Sequence, residues 1–206
     1  IEYLSSVVRD VTERRQTEAT LKAFALVDEL TGLYNRRGFL ALAEREWEAA
    51  RAAGQGAVFV YLDLDGFKGV NDTYGHAEGD RALQAMAAVL RRTFRDADVV
   101  GRLGGDEFVG FARCGQGGLS GGLSGGPVDA ARATAARLQA RLQVVLAEAN
   151  LAARRPYAIG TSVGVAVFDP AEAATLSALM VEADAALYDR KRTRKREQQA
   201  RAAAAA

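Results

Sequence analysis

The sequence has little of several features on which whole classes of protein depend. Its 206 residues include one cysteine, Cys114, which excludes an intramolecular disulfide framework and a cysteine-cluster metal site and is typical of a reducing compartment. No apolar run approaches the roughly 20 residues of a membrane-spanning helix, and the first residues lack the apolar stretch of a signal peptide. We therefore expect a cytoplasmic protein with no membrane segment.

An excess of charge of one sign is also missing. The chain carries 27 Lys and Arg residues against 26 Asp and Glu residues, which gives a formal net charge of +1. This balance provides no basic field that would draw the protein onto nucleic acid or acidic lipid. Any anion must therefore be bound by a local group of residues, and no nucleic-acid partner is expected.

The hydrophobic pattern predicts alternating strands and helices. The composition, 49% hydrophobic and 26% charged, is typical of a globular domain. Strands are predicted at 57–65, twice within 98–111 and at 161–168, and helices after Asn35, after Gly79, at 128–149 and at 175–200. Because one strand pair is a hairpin, the pattern favours an α/β (α+β) fold, a mixed β-sheet with flanking helices around a ferredoxin-like βαββαβ core.

Composition also divides the chain into segments. Residues 1–10 are predicted to be the terminal strand of an upstream domain, and 11–27 a connecting helix. The weak apolar stripe of that helix would gain most from pairing with a second copy, although a frayed end is the alternative. Residues 28–200 form the main domain, and 201–206 a tail. The glycine-rich segment 114–127 is predicted to be a flexible loop with no phosphate-binding role.

Two acidic clusters lie at predicted strand ends. Asp63 and Asp65 end the strand at 57–65, and Asp106 and Glu107 lie at the tip of the Gly-Gly hairpin. Acids in such places are costly unless they are solvated or neutralised by a cation, and on neighbouring strands they would converge. Oxygen ligands with room for phosphate suit Mg²⁺. The alternative is that these are turn and cap residues.

Residues close to the first cluster could bind a nucleotide. Backbone N–H groups at Phe67 and Lys68, with the lysine ammonium, could hold a polyphosphate, or could form an ordinary turn. Asn71 and Asp80 supply an amide and a carboxylate that together can meet the O6 and N1/N2 edge of guanine. The only histidine, His76, is by itself more often a structural group than a catalyst.

Five motifs in order resemble those of one family. They are DELTGLYNRR (28–37), DLDGFKGVNDTYGHAEGD (63–80), RLGGDEF (102–108), SVGVA (162–166) and ALYDRK (186–191). Together they resemble the GGDEF-domain diguanylate cyclases, bacterial signal-transduction enzymes that make the second messenger cyclic di-GMP from two GTP. The resemblance implies a GGDEF catalytic domain whose fold resembles nucleotidyl cyclase and polymerase palm domains.

The resemblance also implies roles for individual residues. Asp63, the Leu64 carbonyl and Asp106 would bind Mg²⁺, with Mn²⁺ as a possible substitute, and Glu107 would act beside Asp106 in catalysis. The substrate-binding residues implied are Phe67, Lys68, Lys191 and Lys195 for phosphates, and Asn71, Asp80 and His76 for guanine.

Three further features follow from the resemblance. Where the family usually has Gly-Arg-Asn, this chain has 194–196 as Arg-Lys-Arg, so Lys195 keeps the charge but cannot bind phosphate in a bidentate manner. Arg95 and Asp98 match the family's RxxD motif for inhibition by the product, whereas outside this context they would be a solvated ion pair. The N-terminal strand and VRDVTERR (8–15) resemble the end of a PAS sensor domain that runs into a signalling helix.

The implied reaction is attack of the 3′-OH of one GTP on the α-phosphate of another, with Mg²⁺ bound and pyrophosphate released, followed by ring closure. One nucleotide site per domain implies a homodimer. The alternative function is a catalytically silent module that binds GTP or cyclic di-GMP, but the intact Gly104–Phe108 favours an enzyme. Use of adenine is disfavoured, because the Asp80 carboxylate would face adenine N1, which carries no proton.

Overall fold

The structure is a computed structural model that describes residues 26–114 and 126–204. The strands within these ranges are β1 (Tyr34–Asn35), β2 (Ala57–Asp65), β3 (Val99–Gly104), β4 (Glu107–Arg113) and β5 (Gly160–Phe168). The helices are α1 (Arg36–Ala52), α2 (Phe67–Tyr74), α3 (His76–Thr93), α4 (Pro127–Ala152) and α5 (Leu176–Ala204).

The strands form one sheet in the order β1-β3-β4-β2-β5. β1 pairs with β3 in parallel, and every other pair is antiparallel. The sheet is therefore mixed, as predicted, and the elements from β2 to β5 form the βαββαβ core. This order places β2 next to β4, so the end of β2 meets the tip of the β3–β4 hairpin.

β2 lies between two hydrophobic cores. Val58, Val60 and Leu62 point to the core formed with α3 and α4. Phe59 and Tyr61 point to the other core, formed with α1 and α5. Burial on both faces explains why the strand reads as a continuous apolar run, and it fixes the position of the acidic residues that follow.

α1 begins as the sequence predicts. The Asn35 side-chain oxygen accepts a hydrogen bond from the Gly38 backbone N–H at 3.0 Å, which satisfies one of the N–H groups left free at a helix start. The predicted inner face is confirmed, since the following residues are buried: Phe39, Ala43, Trp47 and Ala50.

The region after β2 differs from the prediction. The sequence analysis places no helix between the strand at 57–65 and Gly79, but α2 follows β2 directly and α3 already begins at His76. α2 has no buried residue, so it lacks the apolar stripe by which a helix is recognised. The two helices are separated at Gly75, whose φ of +85° is readily adopted only by glycine.

Two further predictions concern the ends of the chain. α5 continues to Ala204, so residues 201–204 of the predicted tail are helical. The predicted strand at 1–10 and nearly all of the predicted helix at 11–27 lie outside the described residues, and Val27, its last position, instead forms an isolated β-bridge with Tyr34. Among the described helices, none has the length and apolar character needed to cross a membrane.

Candidate active site

The two acidic clusters converge. β2 and β4 pair so that Asp63 lies opposite Glu107, and the Leu64 N–H donates to the Asp106 carbonyl at 3.2 Å. The turn between β3 and β4 requires glycine, because φ is +147° at Gly104 and +51° at Gly105. Three carboxylates, those of Asp63, Asp106 and Glu107, therefore lie together, and we call them the acidic site.

The negative charges of the acidic site are only partly compensated. Burial raises the pKa of the Asp63 carboxyl above its ordinary value, and the neighbouring charges of Asp106 and Glu107 raise it further. The hydrogen bond and charge of Lys191 oppose this rise, since its Nζ lies 2.6 Å from Asp63 Oδ2. Lys191 is thus the cation in direct contact with Asp63, while two further carboxylates lie close to it, an arrangement that favours binding of a divalent cation.

The donor set suits a hard divalent cation. Carboxylate and carbonyl oxygens are the ligands that Mg²⁺ prefers. The predicted ligand residues Asp63, Leu64 and Asp106, which carry such oxygens, all border one cavity. Across the described ranges, no three His, Cys, Asp or Glu side chains are arranged to hold a metal ion by themselves. A cation here would therefore complete its shell with water and phosphate oxygens, which is usual for Mg²⁺.

Basic residues and a helix start surround the acidic site. They border a cavity of about 560 Å³. Its walls combine residues from β2, the hairpin tip, the start of α2 and the end of α5: Asp63, Leu64, Asp65, Gly66, Phe67, Lys68, Asp106, Lys191, Arg194 and Lys195. Phe67 and Lys68 are the first residues of α2, where backbone N–H groups lack helical partners and attract anions. The structure thus brings the predicted phosphate-binding residues beside the acidic site.

Asp65 and Arg194 form a contact that the sequence analysis missed. The Arg194 guanidinium is ion-paired with the Asp65 carboxylate. Ser162 Oγ also donates to Asp65 Oδ1 at 2.6 Å. The only local signal was that Arg194 lies three residues after Lys191 and therefore on a similar side of α5.

The predicted guanine-binding residues lie on adjacent helices. Gly79 of α3 faces Asn71 of α2 so closely that a Cβ at 79 would lie 2.0 Å from Asn71 Oδ1. Glycine at 79 therefore permits Asn71 to lie against the helix that carries Asp80. Asp80 and His76 are both exposed. Because the Asp80 carboxylate is exposed, it can accept hydrogen bonds from the edge of a bound base.

Arg95 and Asp98 lie in a different cavity, of about 270 Å³. Asp98 Oδ2 accepts a hydrogen bond from the Arg95 backbone N–H at 2.9 Å. Burial raises the pKa of the Asp98 carboxyl, although Arg95 and Arg141 oppose the rise. Arg137 and Arg141 of α4 also border this cavity, and sequence reasoning did not find them. No residue borders both this cavity and the one at the acidic site.

Comparison with known proteins decides the family. The family model described as "Diguanylate cyclase, GGDEF domain" matches residues 25–197. The chain belongs to this family. Both the predicted resemblance and the predicted enzyme class are thereby confirmed, and the use of divalent metal ions, general among GGDEF cyclases, agrees with the oxygen donors of the acidic site.

Individual relatives agree with this assignment. The chain is 35% identical over 181 residues to an uncharacterized signaling protein of Caulobacter vibrioides, with 88% of this chain and 21% of the relative covered. It is 41% identical over 103 residues to the diguanylate cyclase DgcM of Escherichia coli, with 50% and 25% covered. The chain therefore spans a quarter or less of the length of these two relatives.

A solved structure supports the fold as well. The crystal structure of the coiled coil and GGDEF domain of DgcB from Caulobacter crescentus, in complex with c-di-GMP, superposes on this chain with a TM-score of 0.76. The two are 28% identical, and the match covers 92% of this chain and 93% of the other.

In this GGDEF domain, a second set of contacts holds the Gly-Gly turn. Arg102 Nε and Nη2 donate to the Gly105 carbonyl at 2.9 and 2.8 Å. Arg102 Nη1 donates to Asp28, whose Oδ1 also accepts from the Thr31 N–H at 2.9 Å and from its hydroxyl. We call Asp28, Thr31, Arg102 and Gly105 the turn clamp. It connects the first family motif with the third.

Proposed function

We propose that this chain is an active diguanylate cyclase that condenses two GTP into cyclic di-GMP and two pyrophosphates. The observation that carries the proposal is the convergence of Asp63, Asp106 and Glu107 beside a cavity with phosphate-binding groups. The intact Gly104–Phe108, which carries two of these three carboxylates, favours an enzyme over a module that only binds nucleotide.

The reaction would proceed in two equivalent rounds. The 3′-oxygen of one GTP bonds to the α-phosphorus of the other, the bond from that phosphorus to pyrophosphate breaks, and the 3′-hydroxyl proton passes to solvent. A divalent cation, Mg²⁺ or Mn²⁺ in its place, held by Asp63, the Leu64 carbonyl and Asp106, would polarise the phosphate and lower the pKa of the hydroxyl. Glu107 lies beside Asp106 and adds negative charge that favours the cation.

The chain's own residues would position the nucleotide. The first N–H groups of α2, at Phe67 and Lys68, and the ammonium groups of Lys68, Lys191 and Lys195 would bind phosphate oxygens. The guanine edge would lie against α2 and α3, where Asn71 donates to O6 and Asp80 accepts from N1 and N2. His76, at the first turn of α3, would border the base.

Pairing of two domains would complete the site. The described part of each domain contains one nucleotide site of this kind, so each of the two GTP molecules would come from a different copy. The solved DgcB structure contains a coiled coil and a GGDEF domain, which supports a paired helix at 11–27. An upstream PAS-like sensor domain would precede that helix. We expect specific activity to rise with protein concentration and to fall when residues 1–27 are removed. A rate independent of concentration in a chain that sediments as a monomer would contradict pairing.

The proposal is tested by incubating the protein with GTP and Mg²⁺ and identifying the product by mass. Cyclic di-GMP is expected, and ATP should give no corresponding product. If GTP or cyclic di-GMP binds but no product forms at any protein concentration, the chain is the silent binding module.

A further inference from the structure

The end of α5 brings a guanidinium into the cavity of the acidic site. Arg194 borders this cavity together with Lys191 and Lys195. Lys191 and Arg194 each form an ion pair with an acid at the end of β2, whereas Lys195 forms none with any carboxylate in the described ranges. Arg194 also lies close to the edge of β5, since a Cβ at Gly160 would be 3.3 Å from its Nη2.

We propose that Arg194 is a binding residue for the β- and γ-phosphates of GTP, and that its guanidinium moves from Asp65 onto the nucleotide when GTP binds. This inference rests on the proposed function. It assigns to Arg194, and not to Lys195, the bidentate phosphate contact of this site.

The chemistry of the two side chains supports the assignment. A guanidinium presents donors in a planar fork that fits two phosphate oxygens, whereas an ammonium acts as a point charge. Of the basic residues on the cavity wall, which are Lys68, Lys191, Arg194 and Lys195, only Arg194 is an arginine. It is therefore the only one that can bind phosphate in this way.

The present ion pair of Arg194 is open to water on the arginine side only. The Arg194 side chain is 43% exposed and can turn toward the cavity, whereas the Asp65 side chain is 14% exposed, so the nucleotide phosphates must outweigh the cost of leaving Asp65. Asp65 would retain the hydrogen bond from Ser162 after Arg194 leaves. The Asp65 carboxylate would therefore keep the Ser162 hydroxyl as a hydrogen-bond donor. The Arg194 guanidinium would exchange one carboxylate for the more highly charged phosphates of GTP.

A structural role is the competing explanation, in which Arg194 serves only to neutralise Asp65. The two explanations differ in the effect of Asp65→Asn. If Arg194 binds phosphate, this change frees the guanidinium, while the Asn oxygen can still accept from Ser162. If Arg194 serves only Asp65, removing either partner has the same consequence.

The test measures binding of a GTP analogue that carries a methylene group between the α- and β-phosphorus and cannot react. Titrations are made calorimetrically with Mg²⁺, and GMP, which lacks the β- and γ-phosphates, is titrated in parallel. We expect Arg194→Ala to raise the Kd of the analogue roughly tenfold to a hundredfold and to change that of GMP little. Arg194→Lys should recover only part of the loss, and Asp65→Asn should bind the analogue at least as tightly as the parent.

Arg192→Ala is the matched control. It removes the same charge from the same helix, but Arg192 faces Asp189 and the Tyr188 ring and does not border the cavity. The Kd of the GTP analogue for Arg192→Ala should equal that for the parent. An unchanged Kd in Arg194→Ala, an equal loss in Arg192→Ala or Asp65→Asn, or an equal loss for GMP would each overturn the inference. The proposed function fails separately, if the parent neither binds the analogue nor makes cyclic di-GMP.

Discussion

Asp28 and Asp63 are both largely withdrawn from water and both paired with a cation, but their pKa values shift in opposite directions. Burial raises the pKa of Asp28, but hydrogen bonds from Thr31 and the Arg102 guanidinium outweigh burial and bring it below its ordinary value. Burial also raises the pKa of Asp63, and there two neighbouring carboxylates add to the rise while Lys191 alone opposes it. The partners of Asp28 in the turn clamp therefore stabilise its charged form, whereas the surroundings of Asp63 in the acidic site disfavour its charged form.

The contrast between Asp28 and Asp63 distinguishes a carboxylate with a structural role from one that is suited to binding a cation. An acid whose charge is satisfied within the protein stabilises the fold and has no need of a ligand. An acid that lies among like charges is repelled by them, and a bound cation relieves this repulsion. Such a site therefore lowers the stability of the protein without a ligand and favours binding of a cation. We therefore expect substitutions in the two regions to have opposite consequences for activity and stability.

The largest expected effect is that of Asp106→Ala on synthesis. Loss of a metal ligand should lower turnover by more than about a hundredfold, because a bound cation supplies several kcal/mol of charge stabilisation in the transition state. The free energy of unfolding without metal should not fall, since one like charge beside Asp63 is removed. Initial rates at saturating Mg²⁺ and urea unfolding measure the two effects.

Glu44→Ala is the control for this variant, because Glu44 is an exposed carboxylate on α1, away from the acidic site. Its turnover should equal that of the parent. Turnover of Asp106→Ala within tenfold of the parent would mean that Asp106 is not a metal ligand.

Asp80→Ala is expected to have the next largest effect. It removes an acceptor for guanine N1–H and N2–H₂, so GTP binding should weaken by about 1–3 kcal/mol, the usual contribution of hydrogen bonds to a charged group. Binding of ATP should gain little. Calorimetric titration with GTP measures the change, with Asp72→Ala, a second exposed acid in the neighbouring helix α2, as the control. Unchanged affinity for GTP would exclude Asp80 from recognition of the base.

The cavity at Arg95 extends the comparison to a third acid, Asp98. Burial raises its pKa as it does for Asp63, but its neighbours Arg95 and Arg141 are cations. A guanidinium can bind a phosphate or the O6/N7 edge of guanine, and a carboxylate can accept from N1 and N2, so this cavity suits the product. Because it shares no residue with the acidic cavity, inhibition there would hold two domains in an unproductive arrangement.

Arg95→Ala should therefore raise several-fold the concentration of cyclic di-GMP that halves the rate, with little change in the initial rate before product accumulates. Progress curves with added cyclic di-GMP measure both quantities. Arg132→Ala, an exposed arginine of α4 that does not border this cavity, is the control. Equal inhibition of Arg95→Ala and the parent would reject the feedback site.

The sequence predicts these regions unequally for physical reasons. β2 and the β3–β4 hairpin are predicted correctly because a doubly buried strand is a continuous apolar run and a Gly-Gly pair marks a turn. α2 is missed because an exposed helix leaves no apolar period. The contact between Arg102 and Asp28 joins residues 74 positions apart, and the path of α5 decides that Arg194 meets Asp65. No local pattern identifies the partner in either contact, although the spacing of Arg194 from Lys191 places the two on a similar side of α5.

The smallest expected effect is on stability, at the turn clamp. Asp28→Asn keeps the shape of the side chain but loses its charge toward Arg102 and Thr31, which should cost about 1–3 kcal/mol of unfolding free energy at pH 7. The folded-state pKa of Asp28 lies below the ordinary value of 3.8. The contribution of the charge is therefore complete above the pKa of the unfolded chain and is lost as the pH falls through the lower folded-state pKa.

The difference in unfolding free energy between parent and Asp28→Asn should accordingly stay constant from pH 7 to about pH 5 and shrink at more acidic pH. Urea midpoints of both proteins, measured over the pH range in which both remain folded, test this, and Glu29→Gln, at the next position, serves as the control. A difference that grows as the pH falls would mean that the pKa of Asp28 is raised by folding. The turn clamp would then resemble the acidic site, and the contrast between a satisfied and an unsatisfied carboxylate would not hold.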